Sequence, residues 1–131
     1  MLHSNQFRVN EAWIAFKLND APIATEADGD FNLVALMDAA SCFILSTASV
    51  PVSSAEPSQL DAKRLLKKGH SHKKQLPRRL YVPSSMLASH LASEAVRQGI
   101  AVERIPEADL EAFIGEARES FKESFGGGSI Q

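Results

Sequence analysis

Between Arg79 and Ile105 the chain reads as strand, helix and strand in succession. Arg79-Leu-Tyr-Val82 is followed by Pro83-Ser84, a helical pattern from Ser85 to Gln98, then Gly99 and Ile100-Ala-Val-Glu-Arg-Ile105. Leu87, Leu91 and Ala95 recur at steps of four, Ser84 stands where a cap is needed, and Gly99 supplies a left-handed exit. Two strands joined through a helix are expected to run parallel with a right-handed crossover. A β-α-β unit of this kind commits the chain to an α/β class.

The preceding half supplies strands of another kind. Trp13, Ile14, Phe16 and Leu18 mark a strand over Ala12–Leu18, which ends at the turn signal Asn19-Asp-Ala-Pro22. After a tight turn at Asp28-Gly-Asp30, the runs Phe31–Met37 and Cys42–Thr47 predict a β-hairpin, so three antiparallel strands are expected. Ile23 to Glu26, four residues between two turns, do not decide a further strand. Pro51 to Pro57 reads as a loop. Ser54 or Ser58 then caps a helix that runs through Lys68 and ends at Gly69, with Asp61 completing the cap of Ser58. Leu60, Leu65 and Leu66 give this helix only a thin apolar stripe, which places it at the surface. His70 to Gln75 is expected to be a flexible polar loop closed by Pro77. Pro106 opens the last element, where Leu110, Phe113, Ile114, Ala117, Phe121 and Phe125 recur at three and four as a strongly amphipathic helix.

At 131 residues this is about one domain. Residues 1–125 are expected to form a single α/β domain, with 126–131 a flexible Gly-rich tail. The predicted architecture is a mixed sheet of about five strands, an antiparallel three-stranded meander followed by helix, strand, helix, strand and helix. That order resembles ribonuclease-H-like folds. Active members of that fold hold two metal ions through carboxylates on the first strand, on or after the fourth, and near the last helix. Here no carboxylate lies between Ala12 and Leu18 or between Arg79 and Ser85. A nuclease-like enzyme would have to draw on Asp38 with Glu103 or Glu107. A stretch from about Phe31 to Phe113 also resembles a family of uncharacterised bacterial domains of unknown function. The matching pieces are Leu33 to Asp38, Cys42 to Ser46, Pro77-Arg78-Arg79-Leu-Tyr-Val82, Leu87 to Leu91 and Gly99-Ile100-Ala-Val102. The resemblance implies the fold and no particular activity.

Charge is the sharpest surface signal. Eight of the fourteen Lys and Arg residues lie between Lys63 and Arg79 with no acid among them. They are Lys63, Arg64, Lys67, Lys68, Lys73, Lys74, Arg78 and Arg79, accompanied by His70 and His72. Residues 1–61 carry eight acids against two bases and residues 103–123 seven against three, so a chain of net charge −2 concentrates its positive charge in one segment. This is an expected footprint for a polyanion, nucleic acid or an acidic protein. Tyr81 is the only aromatic residue nearby, which gives little support to base stacking.

Other chemistry is thinner. His70-Ser-His72 places two imidazoles at alternate positions of an extended loop, but two ligands make no metal site. His90 with Ser84 or Ser85 lacks a nucleophile elbow and an orienting carboxylate. Asp28, Asp30 and Asp38 lack the spacing of a calcium loop. No catalytic set, cofactor or metal is expected. Cys42, the only cysteine, sits in Cys42-Phe-Ile-Leu45 and is expected to be a buried structural thiol with no disulfide. No signal-peptide pattern and no run of 18 apolar residues is present, so a cytoplasmic protein without membrane attachment is expected. The apolar face of the last helix, with Phe121 and Phe125, is a candidate homodimer surface.

Overall fold

The computed structural model describes residues 1–19, 21–24 and 29–126. After a short 3-10 turn at Ser4–Gln6 come strands β1 (Ala12–Lys17), β2 (Phe31–Asp38) and β3 (Ile44–Pro51), then helix α1 (Gln59–Lys73), β4 (Arg79–Pro83), α2 (Ser89–Arg97), β5 (Ala101–Ile105), a 3-10 turn at Glu107–Leu110, and α3 (Glu111–Gly126). The five strands form one sheet in the order β3-β2-β1-β4-β5. Both β1–β4 and β4–β5 are parallel, while β2 is antiparallel to β1 and to β3. The meander and the β-α-β unit expected from sequence are therefore both present, joined through the central strand β1.

Alternation along the strands sorts the apolar residues into two cores. Trp13, Ala15, Leu36, Leu80 and Val82 face Leu65 and Leu66 of α1 and Leu91 and Ala95 of α2. Ile14, Phe16, Met37 and Tyr81 face Leu110, Phe113 and Ile114 on the opposite side. Phe7 closes that second core, its ring edge-on to Tyr81 and Phe113 at 5.8 and 6.2 Å. The two-sided burial explains why β1 is apolar almost throughout. A bulge interrupts the β2–β3 ladder between the pairs Leu36↔Ser46 and Met37↔Ile44, so Leu45 is an extra residue. Ile23 makes a single bridge to Phe31, and the rest of the undecided stretch, Thr25 and Glu26, lies outside the described residues. Asp28 and the tail from residue 127 also lie outside them, so of the expected turn at Asp28-Gly-Asp30 only Gly29, at φ +79°, and Asp30 are described.

Several boundaries differ from the sequence reading, each for a physical reason. α1 does not stop at Gly69: it continues to Lys73, and Lys74 takes the left-handed cap position, its N–H donating to the His70 carbonyl at 2.7 Å. Gly69 is instead buried inside the helix, where a Cβ would lie 2.9 Å from Cζ3 of Trp13. His70, Ser71 and His72 are thus helical rather than loop. α2 begins at Ser89, not Ser85. Ser84 donates its N–H to the Ile105 carbonyl, and Arg104 donates to the Pro83 and Met86 carbonyls, which holds residues 84–88 as a turn. Leu87 consequently lies exposed outside the helix, while Leu91 and Ala95 are buried as expected. The cap of α2 comes from elsewhere, with Glu56 Oε1 accepting the His90 N–H at 2.8 Å. Phe113 is buried and Phe121 packs against the α3-side core, so these two rings face the chain's own sheet; nothing is described of the Phe125 side chain. No described helix is long and apolar enough to cross a membrane.

Candidate nucleic-acid interface

The basic segment takes its shape from how α1 begins and what it rests on. Ser58 Oγ accepts the Asp61 N–H at 3.0 Å and Asp61 accepts the Ser58 N–H at 3.3 Å, a reciprocal cap that fixes the first turn. From there Ala62, Leu65, Leu66 and Gly69 point into the sheet. Ser46 Oγ on β3 also donates to the Leu65 carbonyl at 2.9 Å. At 100° per residue these four buried positions fill an arc of about 100°, and Lys63, Arg64, Lys67 and Lys68 fall within an arc of about 140° on the opposite side. All four are exposed. None is within ion-pair distance of an acid among the described residues, so four charges are presented together to solvent.

The far end of α1 is tied to the sheet through a buried polar knot. Asp38, fully buried at the end of β2, accepts the Asn10 N–H at 2.7 Å through Oδ1, and the Ser41 N–H and hydroxyl at 2.9 and 2.7 Å through Oδ2. Asn10 adopts φ +65°. Its Oδ1 accepts the Trp13 indole N–H at 2.7 Å, and its amide donates to the Gln75 and Leu76 carbonyls, both at 3.4 Å. The chain leaving the basic helix is thus held by a residue far earlier in sequence. Nothing in the amino-acid pattern marked Asn10; only its tolerance of the left-handed region hints at such a place.

The remaining basic residues do not share one surface. His70 lies about 20° round the helix from Lys63 and borders the exposed arc. His72 stands on another side, its ring edge-on to Phe43 at 5.9 Å, so the two imidazoles diverge and cannot hold one metal ion. Lys73 is half-buried and Lys74 is the C-cap. Arg78 is exposed just before β4, its N–H bonded to the Glu11 carbonyl. Arg79 leaves altogether. Leu80 and Val82 face α1, so Arg79 and Tyr81 face the α3 side, where Arg79 lies 3.8 Å from Glu103. The Tyr81 hydroxyl first, and Glu103 after it, push the Arg79 guanidinium further into its charged range.

A polar cleft of about 370 Å³ opens between α1 and α2, lined by Gln59, Lys63, His90, Ser93, Glu94 and Arg97. Arg97 donates through Nε to Glu94 at 3.2 Å and also through Nη2, while Gln98 donates to Glu94 at 2.7 Å. These bonds, Arg97's first, hold the Glu94 carboxyl below its usual value of 4.5, with Lys63 adding a smaller effect. His90 lies in this cleft, which Ser84 and Ser85 do not line.

The metal-enzyme alternative meets a geometric obstacle. Asp38 pairs with Trp13, Trp13 with Leu80 and Leu80 with Val102, so Asp38 and Glu103 are separated by three interstrand gaps, about 14 Å. They also face opposite sides of the sheet, and Glu107 lies beyond the end of β5. A two-metal site needs ions about 3.5 to 4 Å apart. No group of three or more metal-capable side chains occurs among the described residues. Cys42 is exposed rather than buried, because it sits at φ +60° in the β2–β3 turn, where its neighbours Ser41 and Phe43 are exposed too. Its thiol is nevertheless pushed up from 9.0, mainly by partial burial and then by Glu116 and Asp38. No protein-family model and no curated protein sequence matches the chain.

Proposed function

We propose that the chain is a noncatalytic binding module that engages a polyanion, nucleic acid in the first instance, through the exposed face of α1. The observation that carries this reading is the set of four cations, Lys63, Arg64, Lys67 and Lys68, gathered on one helical arc with no acid within ion-pair distance among the described residues. His70, bordering that arc, extends the footprint toward the C-terminal end of α1, with Lys74 and Arg78 exposed in the chain that follows. The strand order, with only β2 opposed to the other four, supports a ribonuclease-H-like scaffold. An acidic protein is the competing partner for the same face.

The test is fluorescence anisotropy of labelled single- and double-stranded DNA and RNA at about 50 and 200 mM salt. Four phosphate contacts on duplex DNA give a slope of log affinity against log salt of about −3.6, hence a loss of about 150-fold over that range. Changing Lys63, Arg64, Lys67 and Lys68 together to Glu should abolish binding. Binding that survives those four changes removes the reading, and absence of binding at either salt transfers it to an acidic protein.

A further inference from the structure

We propose that β3 is a self-pairing edge and that two copies of the chain join through it into one continuous ten-stranded sheet. This does not depend on what α1 binds. β3 is the last strand of its sheet, and all eight residues from Ile44 to Pro51 are uncharged. Edge strands are protected by charge, proline or a bulge; here a bulge at Leu45 and Pro51 bound the stretch Ser46–Val50, which itself carries none of the three.

The backbone directions fix what that edge offers. Leu18 donates to the Leu33 carbonyl, so Leu33 turns toward β1 and Val34 toward β3. Asp38 donates to the Phe43 carbonyl and Val52 to the Asp30 carbonyl, which agrees with this alternation. Ala48 and Val50 therefore bond β2, while the N–H and C=O groups of Thr47 and Ser49 point away from the sheet. Pro51 also points outward, where its missing N–H costs the β2–β3 ladder nothing and ends the outward row of donors after Ser49.

A twofold axis perpendicular to the sheet at Ala48 sets Thr47 opposite Ser49 of the second copy, and Ser49 opposite its Thr47. Each pair exchanges two backbone hydrogen bonds. Ser46 then meets Val50, both on the α1 side. Past the extra residue Leu45 the count shifts by one, and Phe43 falls opposite Val52, again on the α1 side, where Phe43 already touches His72. Phe43 and Val52 are 53% and 47% exposed, and this register brings the two together. In this register each covers the other, twice over. A shift by two residues instead sets Phe43 against Val50, whose side chain is already buried in its own core. The bulge, the outward backbone and the two exposed side chains thus select one self-complementary arrangement.

Sedimentation of the full chain over a concentration series tests it. The parent should sediment at twice the mass of one chain. Phe43→Lys with Val52→Lys sets like charges against each other at both ends and should give single chains. Phe43→Lys with Val52→Glu sets opposite charges there and should restore the pair. Both positions are exposed, and circular dichroism confirms that the variants fold. Ser49→Pro, which removes only an outward N–H, should also give single chains. A parent that remains one chain throughout, or double variants with equal masses, overturns the proposal.

Discussion

Gly69 sets how closely the basic helix approaches the sheet, and replacing it tests that contact. A Cβ at Gly69 would lie 2.9 Å from Cζ3 and 3.0 Å from Cη2 of Trp13, and 3.1 Å from Cδ2 of Leu36. Trp13 cannot swing aside freely, because it is fully buried and its indole N–H is bonded to Asn10 at 2.7 Å. Gly69→Ala gains about 1 kcal/mol of helix propensity. Overpacking a rigid site costs about 1–3 kcal/mol, and contacts this short belong to the upper part of that range. The net expectation is a loss of about 1–2 kcal/mol, read as a lower urea midpoint with an unchanged slope. A glycine that merely terminated a helix would also resist alanine, so a second variant separates the two cases. Trp13→Phe shortens the ring that the new methyl meets, and the double variant should be less destabilised than the sum of the singles by about 1 kcal/mol. Additive singles, or a Gly69→Ala protein as stable as the parent, would refute the close packing of α1 on Trp13.

Four further outcomes follow from the same geometry. Lys67→Gln should flatten the salt slope of nucleic-acid binding by about 0.9, whereas Arg79→Gln, on the other side of the sheet, should leave it unchanged; equal effects would mean that the ligand reaches both faces. Asp38→Ala strands the buried N–H of Asn10 and the donors of Ser41, and should cost about 2–3 kcal/mol in denaturant unfolding. Glu94 is held below 4.5 in the folded protein, so its stabilisation is present above that value and is lost as pH falls through the lower folded pKa. Glu94→Gln should therefore unfold with less dependence on acid than the parent, as followed by circular dichroism between neutral pH and pH ~3. Cys42, with its thiol raised above 9.0, carries less thiolate than an ordinary cysteine, so iodoacetamide should label it more slowly in the native chain than in urea at the same pH.

The sequence was most readable where local pattern and tertiary role coincide. The apolar run Phe31–Met37 becomes a strand buried on both faces from Val34 onward, Gly99 takes its left-handed exit at φ +88°, and Leu110, Phe113 and Ile114, spaced at three and four, are all buried. It misled where a residue had two physical uses. Gly69 looks like a terminator because glycine tolerates positive φ, yet here its missing side chain is what counts, and that depends on Trp13, a residue on another strand. Ser84 has the chemistry of a cap, but Arg104 and Ile105 claim the turn around it and Glu56 does the capping. Charge clustering along the chain located Lys63, Arg64, Lys67 and Lys68 correctly as neighbours. It could not show that one further step into a strand, with its period of two, carries Arg79 to the opposite face.

The central position of β1 has a consequence for the order in which the chain becomes safe from association. β1 is made first, and β2 and β3 can pair on one side of it as soon as they emerge. Its other side waits for β4, which follows the whole of α1. During that interval an almost wholly apolar strand has an open ladder in the middle of the future sheet, a configuration that invites pairing with other chains. The segment synthesised immediately before β4 is the one richest in like charge. Yet residues 1–61 carry eight acids against two bases, and the chain through Arg79 ten bases against eight acids, so repulsion between unfinished chains is weakest just when the centre of the sheet is still open, and prompt docking of β4 on β1 is what closes it.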